Sequence, residues 1–444
     1  MIVRREEANQ IVVDRLTRAE PVLIDVQKAG DVLPGMRPNM VLMGGPTVPW
    51  SDYDGTARMT ILYASMYEGL ASSVEDAEAK IERGEIIVAS GHPHGLAATN
   101  CAVCTASMPM LVVEERVTGK RAYSNFFEGD APRRLGTGYY GDDVIERMRF
   151  VDDVLAPTVG DAVRRMGGIE VMPIVRHGQR LGDDMHVRTS ASNLKFLEVL
   201  KPAFALLGAE REEDVRRTAA FIEKESYSFF RVWLAATKAI CDGAGDVEGS
   251  SIVTSMAMSA RNFAIRVSGL GDQWFFGPHP RFEGRLRHGS DDKGRVVERF
   301  HVASSTDDEG EWITPDQPLH KDCRFPGTDC MLGECLGLGA FACASSPALQ
   351  IWQGVSVDKL AARNAAMYDI TWGEHPDFMI RRLGSRGSPI GIDLFKVLER
   401  GLTPMLNGIL IRKDFTIFAT GILWAPIECF ELAAKAYRER YGDA

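Results

Sequence analysis

Apolar and polar positions follow two different periods along the chain, and the change of period divides it into three parts. Residues 1–140 open with an amphipathic helix, after which apolar runs such as Met40–Met43 and Met110–Val113 predict strands separated by helices and turns. Residues 141–247 have apolar side chains at helical spacing. Residues 248–444 return to strand-like runs. The pattern predicts an α+β multidomain protein in which two α/β-type domains flank a small helical domain.

Local signals predict where several of these elements begin or turn. Ser73 stands where an N-cap is expected, just before a helical segment. A hairpin is predicted to turn at Thr118-Gly119, and the polar stretch 285–322 is expected to contain at least one more. Residues 424–440 are expected to close the chain as a helix.

Composition narrows the class of protein. The 444 residues are 45% hydrophobic and 25% charged, which is typical of a folded globular protein. A formal net charge of −10 argues against a nucleic-acid or anionic-membrane partner, because either would need a basic face. No apolar run approaches the ~18 residues of a membrane span. We therefore expect a cytoplasmic protein whose eight cysteines are reduced.

The segment from Glu85 to Glu115 combines strand-like runs with two histidines and two cysteines. It predicts a strand, a turn with His92 and His94, a helix with buried Cys101 and Cys104, and a second strand. Histidines two residues apart point the same way in an extended chain, so they are a candidate zinc pair. A metal-free polar site and a purely structural role are the alternatives.

Two other segments are rich in ionisable side chains. Asp183, His186 and Arg188 lie in a polar run, where a histidine can exchange protons near neutral pH and an arginine can bind phosphate or carboxylate. Asp329 and Glu334 are the only charged residues of a glycine-rich and cysteine-rich stretch. They are candidates for general-base chemistry, and helix capping is the alternative.

Ten motifs follow one another from about residue 20 to the C-terminus. In chain order they are MGGPTVPWSDYDG, GHPHG, SMPMLVVEE, EGDAPRRLG, GDDMHVR, KAICDGAG, RVSGLGDQWF, DCMLGECLGLGAFA, SPIGID and TPMLNGI. This ordered set resembles the YlbE/AllG-like family of allantoin-degradation gene clusters, whose members are found beside FdrA-like proteins.

The resemblance implies a carbamoyltransferase. It suggests a subunit of an oxamate carbamoyltransferase, which converts oxalurate and phosphate to oxamate and carbamoyl phosphate together with an FdrA-like partner subunit. A homo-oligomer is expected. The candidate catalytic residues are His186, His92, Asp329 and Glu334, and the candidate substrate-binding residues are Arg188, Asp183, Asp272, Asp393 and Asn407, the last expected in a glycine-rich turn.

Thiols at Cys330 and Cys335 depart from the family pattern, which has hydroxyl residues there. A thiolate can act as a nucleophile or as a soft metal ligand. This leaves a second hypothesis, a metal-dependent hydrolase of a cyclic amide, ureide or thio-ureide. In it, His92, His94 and one of Cys101, Cys330 or Cys335 would hold zinc. A third hypothesis is a non-catalytic scaffold subunit of an FdrA-like complex.

Overall fold

A computed structural model describes residues 4–46, 48–99, 101–259, 261–286, 312–313, 324–325, 327, 329–412 and 417–442. It is a mixed α+β protein built from several small sheets and their flanking helices. Within these ranges no helix is long and apolar enough to cross a membrane.

The first part of the chain combines helices with strands, as its apolar runs predict, although its last four strands are consecutive. Its helices are α1 (Arg5–Thr17), α2 (Ala29–Val32), α3 (Gly55–Tyr67) and α4 (Val74–Glu82). Its strands are β1 (Pro21–Lys28), β2 (Met40–Met43), β3 (Ile87–Ser90), β4 (Val103–Cys104), β5 (Pro109–Glu115) and β6 (Lys120–Asn125).

The middle of the chain is helical, which confirms the period read from the sequence. It comprises α5 (Asp142–Phe150), α6 (Ala156–Met166), the short strand β7 (Ile169–Glu170), α7 (Val171–Arg180), α8 (Ser190–Phe204), α9 (Glu212–Lys224) and α10 (Ser228–Gly243). A π-helical turn, Val151–Leu155, joins α5 to α6.

The last part is dominated by antiparallel strands. They are β8 (Val253–Met258), β9 (Phe263–Val267), β10 (Phe275–Gly277), β11 (Arg281–Leu286), β12 (Trp312–Ile313), β13 (Asp329–Cys330), β14 (Thr371–Ile380), β15 (Arg386–Ile392), β16 (Met405–Ile411) and β17 (Ile417–Trp424). The helices are α11 (Pro347–Gln353), α12 (Val357–Ala366), α13 (Leu394–Arg400) and α14 (Ile427–Tyr441).

The strands form four sheets and one isolated hairpin. The sheet orders are β6-β5-β1-β7, β3-β2-β4, β10-β9-β8-β13 and β12-β11-β17-β16, and β14 pairs with β15. Among the strand pairs, β2 with β3 is parallel and the others are antiparallel.

Several local predictions are confirmed. The Ser73 side chain accepts a hydrogen bond from the Asp76 N–H and caps α4. Strands β5 and β6 form the hairpin that turns at Thr118-Gly119. Strands β11 and β12 pair antiparallel. The hairpin expected in 285–322 stays a prediction, because most of that stretch lies outside the described residues.

Two local predictions are wrong. Cys101 lies in a turn with a φ of 60° and Cys104 lies in β4, so no helix holds the two thiols, although both are buried. Asn407 lies inside β16, not in a turn. Its neighbour Gly408 faces the Leu423 side chain of β17, where a Cβ would come within 2.4 Å of Leu423, so this glycine serves close packing.

Helix α10 lies at the centre of the packing. Every residue from Phe229 to Cys241 is buried, and the helix contacts β5 and β6 of the first sheet. One hydrophobic cluster includes residues from Ala8 to Tyr437, and therefore from all three parts of the chain. The domain boundaries at 140/141 and 247/248 stay a prediction.

A buried polar network ties α1 to the last part of the chain. The Asn9 side chain donates to Ser251 Oγ and to Asp393 Oδ2, each at 2.9 Å. Asp393 also accepts from the N–H groups of Phe395 and Lys396 and so caps α13. These contacts occupy both carboxylate oxygens, so Asp393, predicted to bind substrate, fits a structural role instead.

We expect Asp393→Ala to lower the free energy of unfolding by about 2–4 kcal/mol, since it removes a helix cap and the buried acceptor of the Asn9 amide and the Ser251 hydroxyl. Ser356→Ala is the matched control. It removes the exposed cap of α12 and should cost about 1 kcal/mol. Chemical denaturation measures both, and equal losses would contradict the buried network's role.

Candidate active site

One face of α10 presents charged side chains to the protein interior. Arg231, Lys238 and Asp242 are seven and four residues apart, a spacing that puts them on the same helix face. Lys238 is 0% exposed and forms an ion pair with Asp242. Arg266 of β9 lies 3.8 Å from Asp242 and also pairs with Asp272. A buried cationic centre therefore joins the helical middle to the last part of the chain.

His92 meets this centre from the first part of the chain. It begins a short 3-10 helix after β3 and is 3% exposed. Its Nε2 lies 3.3 Å from the Cys330 sulfur, and its ring packs edge-on against Trp274 at 4.8 Å between centroids. Its Nδ1 is buried and has no hydrogen-bond partner among the described residues. Burial, together with the charges of Lys238 and Arg266, holds the pKa of His92 well below its usual value, so the ring is neutral at pH 7.

A glycine allows this close approach. A Cβ on Gly44 would lie 2.2 Å from the Ala98 carbonyl oxygen, so only glycine fits there. The Cys330 thiol donates to the Gly44 carbonyl oxygen, and the Cys330 N–H donates to Ala98 at 3.0 Å. Burial raises the pKa of the Cys330 thiol to about 12, so it is protonated and is not a ready nucleophile.

Asp329 precedes Cys330 in β13 and is 7% exposed. Its charge acts on Arg231, one end of the charged face of α10. The structure thus brings two predicted catalytic residues, His92 and Asp329, to the same helix.

The predicted polar loop is organised by Asp184. Its carboxylate accepts hydrogen bonds from the N–H groups of His186, Val187 and Arg188 and from the Ser346 hydroxyl. Asp184 is therefore the structural centre of this loop and connects it to the segment after Glu334.

Asp183 and Arg188, both predicted to bind substrate, contact each other and the start of α8. Asp183 is 0% exposed and accepts from the N–H and hydroxyl of Ser192 at 2.7 and 2.9 Å, so its carboxylate is engaged at the N-terminus of α8. Arg188 lies 3.4 Å from Asp183 and is partly exposed. His186 stacks on Phe230 of α10, and burial lowers its pKa to about 4.

Glu334 lies near the loop that Asp184 organises. It is 2% exposed and accepts from the Ala340 N–H at 3.0 Å. Burial raises the pKa values of Glu334 and Asp184 to about 7, and the charge of Asp184 adds to the shift at Glu334. The Asn407 N–H also donates to Glu334, and neither polar atom of the Asn407 side chain has a partner among the described residues.

The two predicted zinc histidines do not converge. Successive side chains of a 3-10 helix diverge, so His94 turns away from His92 and contacts the Pro34 carbonyl oxygen at 2.6 Å. The prediction assumed an extended chain. Across the part of the chain that the structure describes, no three His, Cys, Asp or Glu side chains come together as a metal site. Asp272 also lies outside the buried centre, since its side chain is 90% exposed.

Sequence reasoning missed the cations. Lys238 and Arg266 lie within KAICDGAG and RVSGLGDQWF, motifs that carried the resemblance, but neither cation was assigned a role. The sequence did contain a signal for Lys238. Arg231, Lys238 and Asp242 are isolated charges in the largely apolar segment SFFRVWLAATKAICDG, and a charge buried in such a helix needs a partner.

A cavity of about 480 Å³ lies elsewhere, between α7 and α8. It is lined by Pro173, Arg176, His177, Arg180, Leu181 and Lys195 and contains none of the buried centre. We place the candidate chemistry at the buried centre because its polar atoms lack partners there, whereas the groove between α7 and α8 is an open basic surface.

The fold and the site define a mixed α+β protein with a buried group of charged side chains at its centre. The chain belongs to the AllG/YahG family. The family profile described as oxamate carbamoyltransferase subunit AllG matches residues 86–297.

Full-length relatives support this assignment. YahG of Escherichia coli K12, an uncharacterised protein, is 31% identical over 98% of this chain and 86% of its own. The oxamate carbamoyltransferase subunit AllG of the same strain is 29% identical over 98% of both chains. The crystal structure of a conserved protein of unknown function from Enterococcus faecalis V583 is similar with a TM-score of 0.87, at 27% identity over 98% of both chains.

The raised pKa of Glu334 predicts a pH effect on stability. The Glu334 carboxyl binds its proton more tightly in the folded protein than in the unfolded chain, so the protonated carboxyl favours folding. This contribution to the free energy of unfolding is complete below the ordinary pKa of 4.5 and is lost as the pH rises through about 7. Glu334→Gln cannot titrate, so its unfolding temperature should fall less than that of the wild type between about pH 6 and about pH 8. Glu439→Gln, an exposed control, should follow the wild type. Parallel curves for Glu334→Gln and the wild type would show that Glu334 titrates normally.

Proposed function

We propose that this protein is a carbamoyltransferase subunit that binds a small carbamoyl-bearing anion at His92, Lys238 and Arg266. One observation supports this most: His92 Nδ1 and Arg266 Nε are buried without hydrogen-bond partners among the described residues, beside a fully buried lysine. A buried polar atom without a partner costs about 1–3 kcal/mol. The oxygens of a bound anion would accept from Arg266 Nε, and a substrate N–H would donate to the neutral His92 Nδ1, which would remove that cost at both atoms.

The reaction proposed is the transfer of a carbamoyl group between phosphate and the amide nitrogen of oxamate. In the direction that forms oxalurate, that nitrogen attacks the carbamoyl carbon of carbamoyl phosphate. The C–N bond forms, the C–O bond to phosphate breaks, and phosphate leaves with the electron pair.

The residues of the centre have matching roles. Lys238 and Arg266 would stabilise the charge on the leaving phosphate, as cations do in a site that excludes water. Neutral His92 would accept the proton that the attacking nitrogen loses. In the reverse direction the imidazolium would return that proton to oxamate.

We expect His92→Asn to lower kcat about 100-fold, because the variant retains a polar side chain but loses the proton acceptor. His375→Asn is the matched control: His375 is equally buried, burial also lowers its pKa to about 4, and it stacks on Phe378 in β14. Carbamoyl transfer is measured with this chain alone and with an FdrA-like partner added. Equal losses in both variants would argue for a structural role of His92.

The phosphate-binding role has a separate test. We expect Lys238→Met to weaken carbamoyl phosphate binding at least about tenfold, because a charge-assisted contact is lost while the methylene stem keeps its packing. Isothermal titration calorimetry measures the affinity, and a wild-type affinity in Lys238→Met would place the phosphate elsewhere. The zinc-dependent hydrolase remains the alternative, and elemental analysis of the purified protein checks it.

Assembly with a partner subunit is a second proposal, and the groove between α7 and α8 supports it. Its basic side chains form a positive surface on a chain with a net charge of −10. Leu181 and Leu194 beside it are 55% and 53% exposed. We propose that an acidic segment of an FdrA-like subunit docks there, since complementary charge favours such an encounter.

We expect Arg180→Glu to weaken partner binding about tenfold, with a smaller salt dependence than the wild type, because it reverses a charge in the groove. Lys435→Glu, an exposed change on α14, is the control. Biolayer interferometry with the FdrA-like protein measures both. An unchanged affinity in Arg180→Glu would exclude this groove as the docking surface.

A further inference from the structure

We propose that Arg134 and Arg231, together with the face of Phe127, form a recognition site for the carboxylate of a short α-oxo acid amide. This inference rests on the proposed function and adds the residues that would select the acceptor. It concerns the Phe230 end of α10, two helical turns from Lys238.

The two arginines converge on one aromatic ring from different parts of the chain. The guanidinium carbons of Arg134 and Arg231 lie 5.6 and 5.8 Å from the centroid of the Phe127 ring. Arg134 precedes a short 3-10 helix in the loop after β6, and Arg231 comes from α10. Tyr227 packs against the same ring at 5.7 Å between centroids. Two planar cations beside an aromatic face suit a planar anion.

The electrostatics of Arg231 favour an added anion. Its side chain is 9% exposed, and burial and the charge of Arg134 lower its pKa to about 10. The carboxylates of Glu128 and Asp329 act on Arg231 in the opposite direction and offset part of this effect. A ligand carboxylate that contacts both arginines would add an attractive interaction with each of them.

The hydrogen-bond acceptors near Arg231 do not engage all of its N–H donors. Glu128 uses its oxygens on the N–H groups of Leu135 and Gly136, at 2.7 and 3.0 Å. Asn125 Oδ1 accepts from Arg231 Nη1 at 3.3 Å. Arg231 Nε is nonetheless buried without a partner among the described residues. This buried, unpartnered donor is the observation that points to a ligand.

The positions of Arg231 and Lys238 along α10 fit a substrate that has its carboxylate at one end and its reacting nitrogen at the other. Arg231 and Lys238 share a helix face and are separated by about 10 Å along its axis. Lys238 pairs with Asp242, one turn further from Arg231, so the arginines stand at one end of the charged face and the ion pair at the other. A carboxylate bound by the arginines would leave the amide nitrogen on the side that faces His92 and Lys238.

The chain offers a matched pair of variants. Arg134→Gln removes one of the two converging charges, whereas Arg133→Gln removes the adjacent arginine, which is 54% exposed and lies 3.6 Å from Asp143. Isothermal titration calorimetry with oxamate, and with its neutral analogue oxamide, measures recognition of the carboxylate. Thermal unfolding of each variant checks that it is folded. Arg231→Lys is a third variant, which keeps the charge but loses the planar fork.

We expect Arg134→Gln to weaken oxamate binding about tenfold or more and to leave oxamide binding unchanged. Arg133→Gln should bind both as the wild type does. Carbamoyl phosphate affinity should be unaltered in Arg134→Gln, which separates this site from the Lys238 centre. Oxamate binding that is equal in wild type, Arg134→Gln and Arg231→Lys, or absent in the folded wild type, would overturn the inference. If oxamate binding depends on Arg134 but the protein shows no carbamoyl transfer activity, the carboxylate site is supported and the proposed transfer reaction is rejected.

Discussion

The structure depends on a lysine held inside its core. Lys238 is 0% exposed in a helix whose surroundings are almost entirely apolar. Burying an ionised amine costs several kcal/mol unless a partner and further polar contacts offset it. Asp242 lies one helical turn further on and supplies the partner, and Arg266 adds a second positive charge on the other side of Asp242. Asp272 pairs with Arg266 as well, so the formal charges of this group balance. The anion-binding proposal explains instead two buried nitrogens without partners among the described residues, His92 Nδ1 and Arg266 Nε.

This charge balance also explains why the three parts of the chain pack together at one place. Helix α10 supplies Lys238, β9 supplies Arg266, and the turn after β3 supplies His92. Gly44 allows the first part to approach Cys330 closely enough for His92 to reach the sulfur. The buried centre therefore arises only from the assembled chain, and a folded fragment of any single part would lack it.

The sequence predicted elements better than it predicted contacts. Hydrophobic period was sufficient for α1 and α14, because burial on one face imposes that period on the residues themselves. It could not give the direction of His94, which depends on a single 3-10 turn. Nor could it show that the carboxylate of Asp393 is used by Asn9, a residue more than 380 positions away. A polar side chain that stabilises the fold cannot be distinguished in the sequence from one that takes part in chemistry, because the contacts that differ between them are visible only in the structure.

The two predicted catalytic histidines are related through α10. His186 stacks on Phe230, beside Arg231, while His92 responds to the charge of Lys238 two turns further along. Burial lowers the pKa of both, so both rings are neutral at pH 7. They differ in what surrounds them: His186 faces an aromatic ring in a loop fixed by Asp184, whereas His92 has a buried nitrogen without a partner beside two cations. Proton transfer requires a free ring nitrogen next to the developing charge, so His92 is the stronger candidate for the base, and His186 fits the wall of the carboxylate site.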